Sequence, residues 1–551
     1  MGSMGRVRSK FNPELEWLAA RRELLKRVKR DVRQRLGPEP ADVTEYAARY
    51  ERELRARYTV SSKDELLSTL RDADIVYGGD FHALGQAQRT HLKVLRGIEA
   101  KREVTLALEC FPISSQKWLD AYLAGEIGLD DLFLKSEWEK TWGFPRENYG
   151  PLLEIAKRRS WKILALNRRG QRGSSLKARE KAAARVIAQH RRRDPRSLIY
   201  VIFGDLHLAQ EHLPAQVRRA IREEVKDVIV HLNSERIYFQ LAKKGLEHTT
   251  DVVRFRDGSF CVLASPPWVQ WQSYLLFLER TVDTALEMGD DFDPTDQVVE
   301  LIRLAGADLG IKPKTDDVSV LSSEDARVWK VLEEQLGRAE LEIARDLLAR
   351  GKGFYLPGAH TGFLGRSTIN HAGVLAGQYL HAKLSGLQRT LWRLPVDFTA
   401  LIWAEAAAYF VSKLVNHKRQ SETLTDLKAQ LLRQNSTSAD KEVLKLSLDR
   451  LMSELVLVRE GGSRKMQFQP RRKSSYLEAA RICGGMLGER LYIAYRSRKL
   501  KKEEIVRLLR WNPTSQGFSR RYENLLKSLA QLVGTEAHGT RLRIKSRPER
   551  L

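Results

Sequence analysis

Between residues 59 and 280, short apolar runs alternate with segments in which apolar positions recur at helical spacing. Runs at 73–78, 103–108, 162–166 and 197–203 have the length and β-branched content of buried strands. Helical periodicity predicts helices over about 86–100, 114–135 and 149–159, with a basic helix before the fourth strand. Residues 228–232 and 236–241 read as further strands, and 252–263 as a hairpin turning at Asp257 and Gly258. This alternation predicts an α/β fold, a mostly parallel sheet flanked by helices. Residues 1–58 read as a basic helical extension in which Phe11, Leu15, Leu18, Leu25, Val28 and Val32 share a face until Gly37, Pro38 and Pro40 break it. Residues 281–551 read as an almost entirely helical C-terminal region with a basic tail, including runs at 324–350 and 441–459. A glycine-rich, aromatic segment at 353–365 interrupts it, with His360 inside and His371 and His381 following. The predicted domains are 1–58, 59–280 and 281–551.

Chemistry enters at the strand ends. The first and fourth strands run into the same signature, Gly79-Asp80-Phe81-His82 and Gly204-Asp205-Leu206-His207. Residues two apart in an extended segment project to one side, so each copy offers an Asp–His pair. The second and third strands end on Glu109 and Asn167, and open α/β sheets bind ligands outside the carboxyl ends of their strands. One reading places a divalent metal, iron, manganese or zinc, on Asp80, His82, Glu109, Asp205 and His207, a mixed imidazole–carboxylate set. An open position on such a metal would generate a water nucleophile, with Glu109 as general base and Asn167 or Arg168 steadying an oxyanion. Without a metal, His82 and Glu109 would activate water directly. A haem reading takes His82, His91 or His207 as axial ligand and Arg168 and Arg169 for the propionates, or uses His360, Tyr355 and His371 in the glycine-rich segment. The bland alternative makes the aspartates helix caps and the histidines turn partners.

Charge widens the choice of partner. The chain has 95 Lys and Arg against 70 Asp and Glu, a net charge of +25. Residues 157–193 hold fourteen of these cations and a single acid, Glu180; Arg168, Arg169 and Arg172 directly follow a strand end. The partner classes are therefore an anionic small molecule or haem, a second copy of the chain, and nucleic acid or an anionic membrane surface through the basic regions. Cys110, Cys261 and Cys483 are too scattered for a disulfide framework. The N-terminal residues show neither a secretory nor a myristoylation pattern, and the most apolar helical run, 398–415, carries Glu405 and Lys413 and is short for a bilayer. The expectation is a cytoplasmic chain with no transmembrane segment.

The order of these motifs resembles a known family. Gly-Asp-Phe-His82, then Leu108-Glu109-Cys110-Phe111, the Trp138 and Trp142 stretch, Tyr149 with Leu152 and Leu153, Asn167, and Gly-Asp-Leu-His207 together look like the ChaN-like proteins of the haem-binding uptake and Tiki superfamily, related to erythromycin-esterase-like hydrolases. The likeness spans about residues 70–240, with Asp80 standing where the family usually carries Glu. It implies an α/β fold with a strand-end site of histidine and carboxylate. That site would bind haem or iron, or carry out metal-assisted hydrolysis.

Overall fold

A computed structural model describes residues 13–98, 103–168, 175–285, 294–323, 325, 327–366, 368–432 and 437–534. Phe11, Arg169, Arg172 and the basic tail at 541–547 lie outside the described residues. The chain divides into two compact units, Met1–Phe277 and Leu278–Leu551.

The first unit is built on an eight-stranded sheet: β1 Tyr58–Ser61, β2 Ile75–Asp80, β3 Val104–Pro112, β4 Lys162–Asn167, β5 Leu198–Gly204, β6 Asp227–Leu232, β7 Val252–Phe255 and β8 Phe260–Val262. Their order is β1-β7-β8-β6-β2-β5-β3-β4. The six strands from β8 to β4 run parallel, and β7 and β1 add an antiparallel edge. The central strands are apolar on both sides because helices cover both faces. Val76, Leu106, Leu108, Tyr200 and Ile202 face one layer with Leu95, Leu119 and Leu152. Ile75, Tyr77, Ala107, Ile199, Val201 and Phe203 face the other, with Ala184, Ile187 and Val217. The chain leaves β2 toward β3 and β4, then leaves β5 in the opposite direction toward β6. The connections thus diverge where β2 and β5 lie side by side, the position at which open sheets form a crevice. Both signatures are there: Asp80 is paired in register with Gly204.

The basic N-terminal segment forms two helices, Pro13–Leu36 and Ala41–Glu53, and its breaker includes Gly37 at φ +74°. Both reach the α/β unit: Lys29 pairs with Glu235, and Glu53 accepts the Gln210 backbone N–H at 2.6 Å.

Two predicted elements are corrected. The strand expected at 236–241 is a helix, Glu235–Lys243, capped by Ser234, whose buried Ile237, Tyr238 and Leu241 fit helical spacing as well as a strand. The second unit is mostly helical, as expected, with strands at and before its glycine-rich interruption. The glycine-rich segment forms the hairpin β10 Phe354–Leu356 and β11 Thr361–Leu364, and β11 pairs parallel with β9, Ser319–Ser322. The run at 324–350 is two helices, Val328–Gln335 and Arg338–Ala349, broken at Gly337. Phe398–Val415 is the one described helix long and apolar enough to cross a bilayer, and it is buried within the second unit.

Candidate functional site

Strand β2 delivers Asp80 buried at its last position, and His82 follows half-exposed, its side chain 24 % accessible. His82 Nδ1 lies 3.0 Å from Asp80 Oδ2. Tyr149 OH donates to the same oxygen at 2.7 Å, and Gln88 Nε2 donates to Oδ1. Burial alone would raise the Asp80 pKa, but the His82 charge and the hydrogen bonds from His82 and Tyr149 hold it below the usual range. Burial pulls His82 down, and its bond to Asp80 with the nearby Asp80 and Glu109 charges more than reverses that. An ionised acceptor assigns the proton to Nδ1 and leaves Nε2 as the free ring atom.

Glu109 on β3 lies opposite, with Oε2 4.0 Å from His82 Nε2. Its Oε2 accepts the Gly204 backbone N–H at 2.7 Å, and Oε1 accepts from Arg179. A buried carboxylate held by a guanidinium and a backbone amide is fixed in direction. A Cβ at Gly204 would lie 3.3 Å from Glu109 Oε2 and 3.4 Å from His82 Nε2, so glycine there lets the strand end meet this pair.

The second signature is used differently. Asp205 and His207 lie in a short 3-10 turn, Asp205–Leu208, so the expected Asp205–His207 pair is not formed. The same-side argument holds only for extended backbone, and the chain leaves that conformation at Gly204. His207 Nδ1 lies 2.7 Å from Glu180 Oε1, and Tyr46 OH donates to Glu180 Oε2 at 3.3 Å. Burial pushes His207 down to about 4 and Glu180 up to about 7, opposing charge on both partners.

Asp205 is partly buried, and its buried Oδ1 has no hydrogen-bond partner among the described residues. Burial first, and then the Asp80 charge, push its pKa up to about 7, against the opposing pull of His82. A carboxyl raised from 3.8 to about 7 keeps its proton in the folded state while the unfolded chain loses it. The contribution of Asp205 to the stability of the first unit should therefore fall as pH rises from about 4 to about 7. Asp205→Asn is expected to flatten that slope and add up to about 4 kcal/mol at pH 8, read from urea unfolding across pH. A Cβ at Gly79 would overlap Asp205 Oδ1. Gly79→Ala should cost about 1–3 kcal/mol and displace Asp205, seen as a lower Tm that Gly79→Ala/Asp205→Gly partly recovers.

Other predicted residues stand apart from this centre. His91 is fully buried. Its Nε2 donates to Gly79 O at 2.7 Å and its Nδ1 accepts from Tyr200 OH at 3.0 Å, so neither nitrogen is free for a ligand. Its role as a cofactor residue is corrected to a core partner of β2. Asn167 ends β4 in register with Pro112, and Arg168 is exposed beyond it. Arg169 lies outside the described residues. Trp138 is core, whereas Trp142 meets the His82 ring edge-on at 4.5 Å.

Gln88, Arg179, Glu180 and Tyr46 were missed by sequence reasoning, since each sits in a helix with no motif of its own, and Tyr149, part of the family pattern, was given no role at the site. Glu180, the lone acid of the basic stretch, carried the one available signal. Half-buried rings also extend from His82: Trp142 and Phe144 meet its ring, and Phe277, Tyr274, Phe81 and Trp271 continue as a chain of ring contacts. Phe144 lies 5.0 Å from His82 and stacks on Phe277 at 4.5 Å; Phe81 meets Tyr274 at 5.7 Å and Trp271 at 6.0 Å.

The donors can be tested against the two expected groups. Among the described residues no group of three or more His, Cys, Asp or Glu side chains is placed to hold a metal ion. Asp80, Glu109 and His207 are each turned to protein partners. For haem, His82 fits: an accessible ring beside half-buried aromatics, its other nitrogen on a buried carboxylate, the arrangement that orients a metal-bound imidazole. No curated protein and no solved structure matches the chain. Residues 66–173, spanning β2 to β4 with Asp80, His82 and Glu109, match the family described as haem-binding uptake, Tiki superfamily, ChaN, which supports a haem-related function for the α/β unit.

Proposed function

We propose that the α/β unit binds haem with His82 as the axial ligand. The observation that carries this reading is the pairing of His82 Nδ1 with buried Asp80 while the ring stands beside Trp142 and Phe144. Bound haem would supply an iron–porphyrin centre, which His82 would hold. The chain's own residues prepare that imidazole. Asp80 fixes the tautomer and ring plane, and Tyr149 and Gln88 fix Asp80. The rings of Phe81, Phe144, Trp271, Tyr274 and Phe277 offer apolar surface that excludes water. Glu109, clamped by Arg179, sets a fixed polar group 4.0 Å from Nε2.

A second reading is favoured by that same 4.0 Å separation: His82 and Glu109 facing each other suit metal-free acid–base hydrolysis, with the Gly204 end as the reaction face. Haem titration of the purified full chain distinguishes the two. A stoichiometric Soret band supports the haem reading. Saturable ester hydrolysis that His82→Ala abolishes, with no Soret band, supports the second reading and overturns the first.

A further inference from the structure

In the second unit, four cations from separate segments gather around the 354–364 hairpin and the first turn of the helix Ile369–Ser385. His371 lies in the first turn of the helix Ile369–Ser385, whose N-cap Thr368 accepts the His371 backbone N–H and lies 2.7 Å from its Nδ1. Lys352 and Arg366 flank the β10–β11 hairpin, Arg419 follows the helix Phe398–Val415, and Arg481 belongs to the helix Ser474–Arg496. Burial, followed by the charges of Arg419, Arg481, Arg366 and Lys352, pushes the His371 imidazole down to about 3.

The cluster is built rather than accidental. Arg481 donates to Gly353 O at the start of the hairpin and stands 3.8 Å from Glu405. Arg419 donates to Ser412 Oγ at 2.7 Å and to Asn370 O at 3.4 Å, and lies 4.5 Å over the Tyr409 ring. The hairpin ends close tightly: a Cβ on Gly365 would come within 2.6 Å of the Gly351 and Lys352 backbone, which keeps Lys352 beside Arg366. Counter-charge is short. Glu478 is 3.7 Å from Lys352 but is shared with Arg350 at 3.1 Å, and among the described residues Glu405 has only Arg481 at ion-pair range. Among the described residues, Arg366 and Arg419 form no ion pair. Holding like charges together in a half-buried site is costly unless an anion joins them.

We propose that this cluster is a phosphate-binding site, taking the phosphate group of a small phosphorylated ligand between the β10–β11 hairpin, the first turn of Ile369–Ser385, and Arg419 with Arg481. Phosphate fits better than a carboxylate. It carries more charge, its several oxygens match guanidinium forks and a lysine together, and helix N-terminal amides favour it. The glycine-rich segment then has a function of its own, independent of the haem reading in the first unit.

Calorimetric titration of the full chain with pyrophosphate, at fixed ionic strength, tests this. Pyrophosphate is expected to bind at least tenfold more tightly than sulfate. Lys352→Gln/Arg366→Gln, two half-exposed or exposed positions that leave the core intact, should weaken it at least tenfold with Tm unchanged. Arg419→Lys, which keeps charge and loses the fork, should also weaken it. Binding should raise the His371 pKa in NMR titration, a change that a structural role for the cations would not produce. ADP run in parallel tells a nucleotide from a bare phosphate. Equal affinity for pyrophosphate and sulfate, or unchanged binding in the double variant, would overturn the proposal. So would binding of single-stranded RNA with which pyrophosphate does not compete.

Discussion

His82→Ala is expected to lower haem affinity at least 100-fold, about 3 kcal/mol, while leaving the fold in place. The iron–imidazole bond is the directional part of such a site, and the surrounding rings alone give only apolar, unoriented burial. Because His82 is 24 % exposed and packs edge-on against Trp142, its removal opens no large core cavity. Exogenous imidazole should restore the Soret position of the variant by filling the same place. Asp80→Asn, which keeps the shape but weakens the acceptor, should cost about 10–100-fold, the usual effect of removing a group that orients a metal ligand. His91→Gln should leave the haem spectrum unchanged, since both His91 nitrogens are used inside the core.

Arg179→Met is expected to be the most destabilising single change at the site, by about 3 kcal/mol in the first unit. The variant leaves the Glu109 carboxylate, only 3 % exposed, without its counter-ion, and an orphaned buried charge costs far more than the intact pair contributes. The Gly204 amide still donates to Glu109 and Arg179 itself is 25 % exposed, which keeps the loss near the lower end of the range for buried pairs. Arg179→Met/Glu109→Gln should recover most of the stability, because the neutral amide keeps the contact region filled without a charge. Hydrogen exchange at β3 and β5 in the full chain measures both variants. Equal protection in Arg179→Met and the parent would contradict the clamp.

The parallel sheet was legible because its strands are continuous apolar runs ended by glycine and polar residues, a pattern that helices on both faces impose. The grouping of Asp80, His82 and Glu109 followed from strand-end position, since neighbouring strands in such a sheet align their carboxyl ends. What the sequence did not disclose is which partner each side chain chooses. Asp205 and His207 repeat the spacing of Asp80 and His82, yet a turn of 3-10 helix sends His207 to Glu180, 27 positions away. Arg179 and Glu180 are adjacent in sequence and serve different partners, Glu109 and His207, from one helix. The 236–241 segment misled for a physical reason: six residues rich in aromatic and branched side chains suit a strand and a buried helix equally, and Ser234 decided it by capping. The β10–β11 hairpin was visible as a glycine-rich interruption, but its pairing with β9, more than thirty residues earlier, depends on long-range packing that periodicity does not encode.

Resonance Raman spectroscopy of the ferrous, haem-loaded full chain tests the Asp80–His82 axial unit most directly. The account predicts an iron–histidine stretching band in the parent, absent in His82→Ala and shifted to lower frequency in Asp80→Asn, where the weaker hydrogen bond at Nδ1 makes the imidazole a poorer donor. An iron–histidine band that persists unchanged in His82→Ala would place the iron on another residue and contradict the account.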